Sequence, residues 1–219
     1  MNISWLGHSC FKISEKIDGN EVIVVTDPYS KETGLFPSKI KADIVTISHH
    51  HFDHDNMEKV TGNIEDKAVV FDVPGEYETK KVFVTGMPSK HGDTDLKDNG
   101  DNTIFRIEMG DISIVHLGDL GLKLDEKQIN ELGDVDVLLV PVGGKYTLDG
   151  SQASEVVRQI EPRIIIPMHY KIKDLNIDIA DESKFVKAMG NKVERMSKLK
   201  ITRKDLPEDS SKVVILDKE

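Results

Sequence analysis

Cysteine, basic charge and long apolar runs are what this sequence has least of. Cys10 is the only cysteine among 219 residues, which excludes an intramolecular disulfide and a thiolate zinc knuckle. A small buried residue, not a nucleophile, is the expectation for it. No apolar run approaches the ~20 residues that span a bilayer, and the opening Met1-Asn2-Ile3-Ser4-Trp5 has no basic stretch leading into an apolar one. A cytoplasmic protein with no membrane partner is expected. Positive charge is also in deficit, with 29 Lys and Arg against 39 Asp and Glu and a net charge of −10. Such a surface repels nucleic acid and anionic lipid, and no Lys/Arg run with interleaved aromatics offsets it.

With 38% hydrophobic residues the chain can bury a large core, and a single domain over residues 1–219 is expected because no Gly-, Ser- or Pro-rich linker divides it. Ile- and Val-rich segments predict strands at Ile3–Leu6, Phe11–Ser14, Val22–Thr26 and Ile44–Ser48. Further strands are expected at Ala68–Phe71, Val82–Thr85, Thr103–Ile107, Ile112–His116, Val137–Val140 and Ile164–Ile166. Asp18-Gly19-Asn20 predicts a hairpin turn, and Lys97-Asp98-Asn99-Gly100-Asp101 a second turn feeding Thr103. Helical signals come later. They are an acidic first turn from Asp125 to Leu132, a helix capped by Ser151 that runs to Ile160, and one over Glu182 to Met189 with Asp181 as cap. A short helix is expected after Asp55. Strands alternating with helices, after a strand-rich first half, predict an α/β architecture of two sheets with helices outside.

The chemistry concentrates at strand ends. Ile44-Val45-Thr46-Ile47-Ser48 leads into His49-His50-His51-Phe52-Asp53-His54, an apolar strand delivering four metal-ligand candidates and a spare histidine at its carboxyl end. Imidazole and carboxylate suit Zn(II) and similar divalent ions. Taken alone, the segment could be a chance His-rich loop. Two other strands end the same way, in His116-Leu117-Gly118-Asp119 and in Pro167-Met168-His169, so, leaving aside the spare His50, five of only eight histidines stand at three strand ends beside two acids. A chance loop explains that poorly.

His49-x-His51-x-Asp53-His54, followed by His116, Asp119 and His169, resembles the hallmark of the metallo-β-lactamase superfamily. The resemblance extends to Trp5-Leu6-Gly7-His8-Ser9, Thr26-Asp27-Pro28 and Val140-Pro141-Val142-Gly143-Gly144. These flanking segments look most like small metal-dependent hydrolases related to the ascorbate-6-phosphate lactonases. The resemblance implies a four-layer αββα sandwich, two mixed sheets flanked by helices, with metals at one edge between them. It implies one metal on His49, His51 and His116, a second on Asp53, His54 and His169, and Asp119 as the bridge. Two divalent ions follow, zinc first, with Mn or Fe compatible. Ions ~3.5–4 Å apart share a carboxylate and a hydroxide, lowering the water's pKa from ~16 toward ~7. His51, where the di-iron branch would have Glu, favours hydrolysis.

Around that centre, Asp27 is expected to brace a ligand imidazole, although a turn Asp before Pro28 is the plainer reading. His8 is a candidate for substrate contact or leaving-group protonation, or for a structural hydrogen bond. His50 should point away. His91, in a polar loop, and Tyr146 with Lys145, after Gly143-Gly144, are candidates for substrate binding. The Pro74-Gly75-Glu76-Tyr77 turn could shape the entrance, and the acidic run from Leu175 to Asp181 reads as a solvated loop.

The expected reaction is attack of hydroxide held by the dinuclear centre on an ester, lactone or phosphodiester bond in a small anionic molecule, with Asp53 and Asp119 as catalytic carboxylates. The alternatives are a metal-binding sensor or scaffold without turnover and a nuclease acting on RNA. A homo-oligomer stays open.

Overall fold

The computed structural model describes residues 1–36, 38–92, 100–190, 193–208 and 210–219. The first half is built of β1 (Asn2–Gly7), β2 (Cys10–Ile17), β3 (Asn20–Thr26), β4 (Ile40–Ala42), β5 (Ile44–Thr46), β6 (Val60–Gly62), β7 (Val69–Phe71), β8 (Gly75–Thr79), β9 (Val82–Lys90) and β10 (Asp101–Met109). The second half holds β11 (Ile112–His116), α1 (Glu126–Leu132), β12 (Val137–Pro141), α2 (Gly150–Ile160), β13 (Ile164–Met168) and α3 (Ser183–Met189). Strands β14 (Val193–Met196), β15 (Leu199–Lys200) and β16 (Lys212–Leu216) close the chain.

Both main sheets are mixed. The six-stranded sheet runs β15-β1-β2-β3-β5-β7 and the eight-stranded sheet β14-β16-β13-β12-β11-β10-β9-β8, with β4 and β6 as a separate pair. Strands β1 to β3 form an antiparallel meander, after which β5 and β7 join in parallel. In the larger sheet β8 to β11 are antiparallel, and β11, β12, β13 and β16 are parallel. Every residue of β11, β12 and β13 is buried. These segments are apolar almost throughout because both of their faces are covered.

Alternation along the strands separates two apolar layers. Val22 and Val24 of β3 pack with Ile13, Ile44, Ile104, Ile107 and Ile114 in the large core cluster, while Ile23 and Val25 join Val45, Tyr29, Leu35, Ile40, Leu175 and Ile179 in a second one. Helix α2 buries Ala153, Val156, Val157 and Ile160, a stripe at i, i+3, i+4 and i+7, in the large cluster. The described α-helices add their apolar residues only to that cluster, so segments 28–36, 38–42 and 172–179 cover the outer face of the smaller sheet.

The ten expected strands and the Asp18-Gly19 hairpin turn are present, and Cys10 is buried. Other expectations need correction. Helix α2 is capped by Asp149, whose carboxylate accepts from Ser151 N and Gln152 N, so Ser151 lies inside the helix. Glu182 holds the cap position of α3, with Asp181 accepting from Ser183 N. The helix after Asp55 is only a 3₁₀ turn, Met57–Lys59, capped by Asn56. Gly75 to Tyr77 belong to edge strand β8, paired with β9, not to a turn. Residues 97–99 of the second expected turn lie outside the described residues. Leu175 and Ile179 are buried, which anchors a segment that reads as a solvated acidic loop. No helix among the described residues is long and apolar enough to cross a membrane.

Phe105 of β10 is fully buried between the sheets. Phe105→Ala is expected to lower unfolding free energy by about 3–5 kcal/mol, read from a urea transition.

Candidate metal centre

Both sheets send loops to one end of the sandwich. The loop after β5 carries His49, His51, Asp53 and His54, and the smaller sheet also delivers His8 after β1 and Asp27 after β3. From the larger sheet come His91 after β9, Asp119 after β11 and His169 after β13. The backbones that carry His91 and Asp119 are clamped together by an antiparallel bridge between His91 and Leu120. A Cβ on Gly121 would lie 1.9 Å from Gly92 Cα, so that approach requires a glycine. Gly118 turns at φ +56°, where a Cβ would meet Asn102 Oδ1 at 2.3 Å. Asn102 uses that oxygen to accept from Asp119 N at 2.9 Å.

The side chains gather into three overlapping sets of candidate ligand atoms, each within 4.8 Å: His49, His51 and His91; His49, His54 and Asp119; and His8, Asp53, His54 and His169. Asp119 stands in the middle. Its Oδ2 lies 3.2 Å from both His91 Nε2 and His169 Nε2, and its Oδ1 lies 3.3 Å from His54 Nε2. His49 Nε2, His54 Nε2 and Asp119 Oδ1 are buried with no hydrogen-bond partner. An unmatched buried polar atom costs about 1–3 kcal/mol. Several converging on one point fit a divalent cation, which needs lone pairs directed at it.

Asp27 decides which nitrogens face inward. It is fully buried; its Oδ2 accepts from Ser48 Oγ at 2.6 Å and from His54 Nδ1 at 2.8 Å. A carboxylate only accepts, so the His54 proton sits on Nδ1 and the Nε2 lone pair is directed at the cluster. Ser48, its hydrogen given to Asp27, accepts from His49 Nδ1 at 3.0 Å and leaves His49 Nε2 in the same state. His8 (φ +54°), Asp27 (φ +37°) and His169 (φ +50°) all adopt the left-handed region. Such strain concentrates at functional sites.

The charges are interdependent. Burial lowers His49 to about 3, helped by the neighbouring charge of His54, and lowers His8 to about 4, helped by His169. Burial would also lower His54, yet Asp119 and Asp53 raise it well above the usual imidazole value. Burial would raise Asp119 and Asp53, but His169 and His54 hold the first, and His54 the second, below the carboxylate range.

His116, expected as a ligand, is not one of the gathered residues. Its Nε2 donates to Ser9 O at 2.9 Å and its Nδ1 accepts from Gly118 N at 3.1 Å, so neither nitrogen has a lone pair for a metal. His91, expected at the substrate, occupies that place beside His49 and His51. His8 is fully buried against Asp53, Nε2 to Oδ2 at 3.0 Å, and is not among the residues that line the cavity. His50 points outward to Asp55 and Asp72. Tyr146 does line the cavity of about 510 Å³ over the centre, together with Glu32, Phe52, Asn176, Ile177 and Asp178, which sequence reasoning missed. Buried Leu175 and Ile179, four residues apart, are the signal that could have placed the last three against the fold.

Two outcomes follow for metal content. His91→Ala is expected to lose metal in elemental analysis, whereas His116→Gln, which keeps a donor for Ser9 O, keeps it. Asp119 and Asp53 favour the protonated form of His54 in the metal-free chain, and His54 must be neutral to ligate, so metal binding should release a proton and tighten as pH rises. Calorimetry in buffers of different ionisation enthalpy measures that proton.

A family model described as a β-lactamase superfamily domain matches residues 2–169. A UPF0173 metal-dependent hydrolase from Methanopyrus kandleri is 30% identical over 201 residues, covering 78% of this chain and 84% of that protein. One from Thermoplasma acidophilum is 31% identical over 201 residues, covering 80% and 85%. Among solved structures, a metallo-β-lactamase superfamily protein from Thermotoga maritima is similar at a TM-score of 0.77 and 35% identity, covering 98% of each chain. A metallo hydrolase from Ignicoccus hospitalis shares the fold at a TM-score of 0.63 and 24% identity, covering 86% of this chain and 90% of that one. With two mixed sheets, flanking helices and a His/Asp cluster at their common end, the chain belongs to the metallo-β-lactamase superfamily, in its branch of metal-dependent hydrolases.

Proposed function

We propose that this chain cleaves an ester, lactone or phosphodiester bond in a small molecule, using two divalent ions held in one centre. The position of Asp119 carries this reading: one carboxylate reaches His91 and His169 with Oδ2 and His54 with Oδ1, and so touches members of both histidine groups. His49, His51 and His91 would hold the first ion, Asp53, His54 and His169 the second, and Asp119 would be common to both. The preponderance of imidazole supports zinc, with Mn or Fe compatible. When bound, such a pair acidifies water at neutral pH and stabilises charge developing at the scissile carbonyl or phosphorus.

The chain's own residues supply the rest. His8 holds Asp53 Oδ2 at 3.0 Å, which leaves the other oxygen to ligate and to steer the proton of the attacking water. Asp27 and Ser48 keep the His54 and His49 rings turned inward, so no reorientation is needed as the reaction proceeds. Phe52 and Ile177 place apolar surface beside the centre and limit competing water.

Asp119→Asn, close to isosteric but neutral, is expected to reduce bound metal and to lower kcat/KM by about a hundredfold or more. Elemental analysis paired with a hydrolysis screen of esters, lactones and phosphodiesters measures both. Full activity in this variant would remove the proposal.

A further inference from the structure

The wall of the cavity facing the centre has a charge of its own. Among the described residues no lysine or arginine lines it, while Glu32 and Asp178 both do, beside Phe52, Tyr146, Asn176 and Ile177. Two ammonium groups on the segments that form the wall are engaged within it. Lys145 Nζ lies 3.0 Å from Asp178 Oδ2 and 5.2 Å from the centroid of the Tyr146 ring. Lys171 Nζ donates to the carbonyls of Leu175 and Ile177. Glu32 has no ion-pair partner among the described residues, and it stands on a chain of net charge −10.

That wall is built before any ligand arrives. Asn176 N donates to Thr33 O at 2.7 Å, which ties the 174–178 segment to the turn carrying Glu32. Ala180 N donates to Gly143 O at 2.9 Å and Lys171 N to Ala180 O at 2.9 Å, which fixes both ends of the segment. Ser30 N donates to Phe52 O at 3.0 Å, joining the same turn to the histidine loop. The backbone that carries Glu32 and Asp178 therefore keeps its place at the cavity, and a ligand tail meets both side chains there.

From this arrangement we infer the substrate class of the site: the group cleaved carries a neutral or cationic, partly apolar tail, and tails bearing further negative charge are rejected. The inference rests on the hydrolase reading above, and it narrows the expectation of an anionic substrate. Negative charge belongs only to the group drawn to the metal pair. Beyond it, Phe52, Tyr146 and Ile177 offer apolar and aromatic contact, and Glu32, joined by Asp178 whose charge Lys145 partly offsets, favours a positive group and repels an anion.

Three carboxylates that differ only in their tails test this: butyrate, 4-(trimethylammonio)butyrate and glutarate, titrated by calorimetry into the zinc-loaded full chain. The cationic tail is expected to bind most tightly and the anionic one least, about tenfold apart at low salt and closer together at high salt. The E32Q/D178N double variant is expected to flatten the series. Glutarate binding as tightly as the cationic analogue, an unchanged series in the double variant, or no binding by any of the three would overturn the inference. If the series holds but no ester, lactone or phosphodiester is turned over, the hydrolase reading fails and the charge preference of the cavity stands.

Discussion

The Asp27 carboxylate and the three groups around it are the constraint on which the rest of the centre depends. Its own nitrogen donates to Thr46 O at 2.9 Å, so the ends of β3 and β5 are joined by the residue that also directs His54 and, through Ser48, His49. The rings of His49 and His54 are thus orientated from one buried point. A carboxylate there is held ionised against burial by nearby histidines, His116 first and then His54. This gives His116 a part to play without coordinating anything: it sits 4.0 Å from Asp27 Oδ2 behind the ligands.

Such a concentration of buried acids and imidazoles is costly for a fold to carry. The compensation lies below it, in β11, β12 and β13, whose residues are all buried, and in the apolar layer that fills the space between the sheets. The polar end works as a rigid constellation because loops leave these strands at fixed positions and are then tied by backbone hydrogen bonds. The bridge from His91 to Leu120 and the bond from Asn102 to Asp119 are examples.

Much of this was legible in the sequence where the signal is local. Apolar β-branched runs marked the main strands, and the crowded His49 to His54 segment marked the centre, because a strand end and its loop are contiguous in the chain. The choice between His116 and His91 was not legible. His116 follows an apolar strand and precedes Gly118-Asp119, as a ligand would, but its nitrogens are taken by Gly118 N and by Ser9 O, a carbonyl 107 residues away in sequence. His91 ends the long strand Val82–Lys90, whose polar second half disguises it as a loop. Short polar edge strands such as β8 carry little hydrophobic alternation and were read as turns for the same reason. The cavity wall from Asn176 to Asp178 was hidden by its acidity, which resembles a solvated loop until its buried flanks are seen.

The candidate ligands divide between the two sheets, four from the loop after β5 and three from the ends of β9, β11 and β13. A bound ion would therefore act as a rivet through the sandwich, because its coordination bonds would add to the apolar contact and the few hydrogen bonds, such as Thr103 N to Ser48 O at 2.8 Å, that join the layers. Unfolding has to separate those layers and release the ion, so by mass action the free metal concentration becomes a determinant of how long the chain stays folded. In a cell short of the metal, the protein's abundance would fall along with its activity, and scarcity would be recorded in the fold itself.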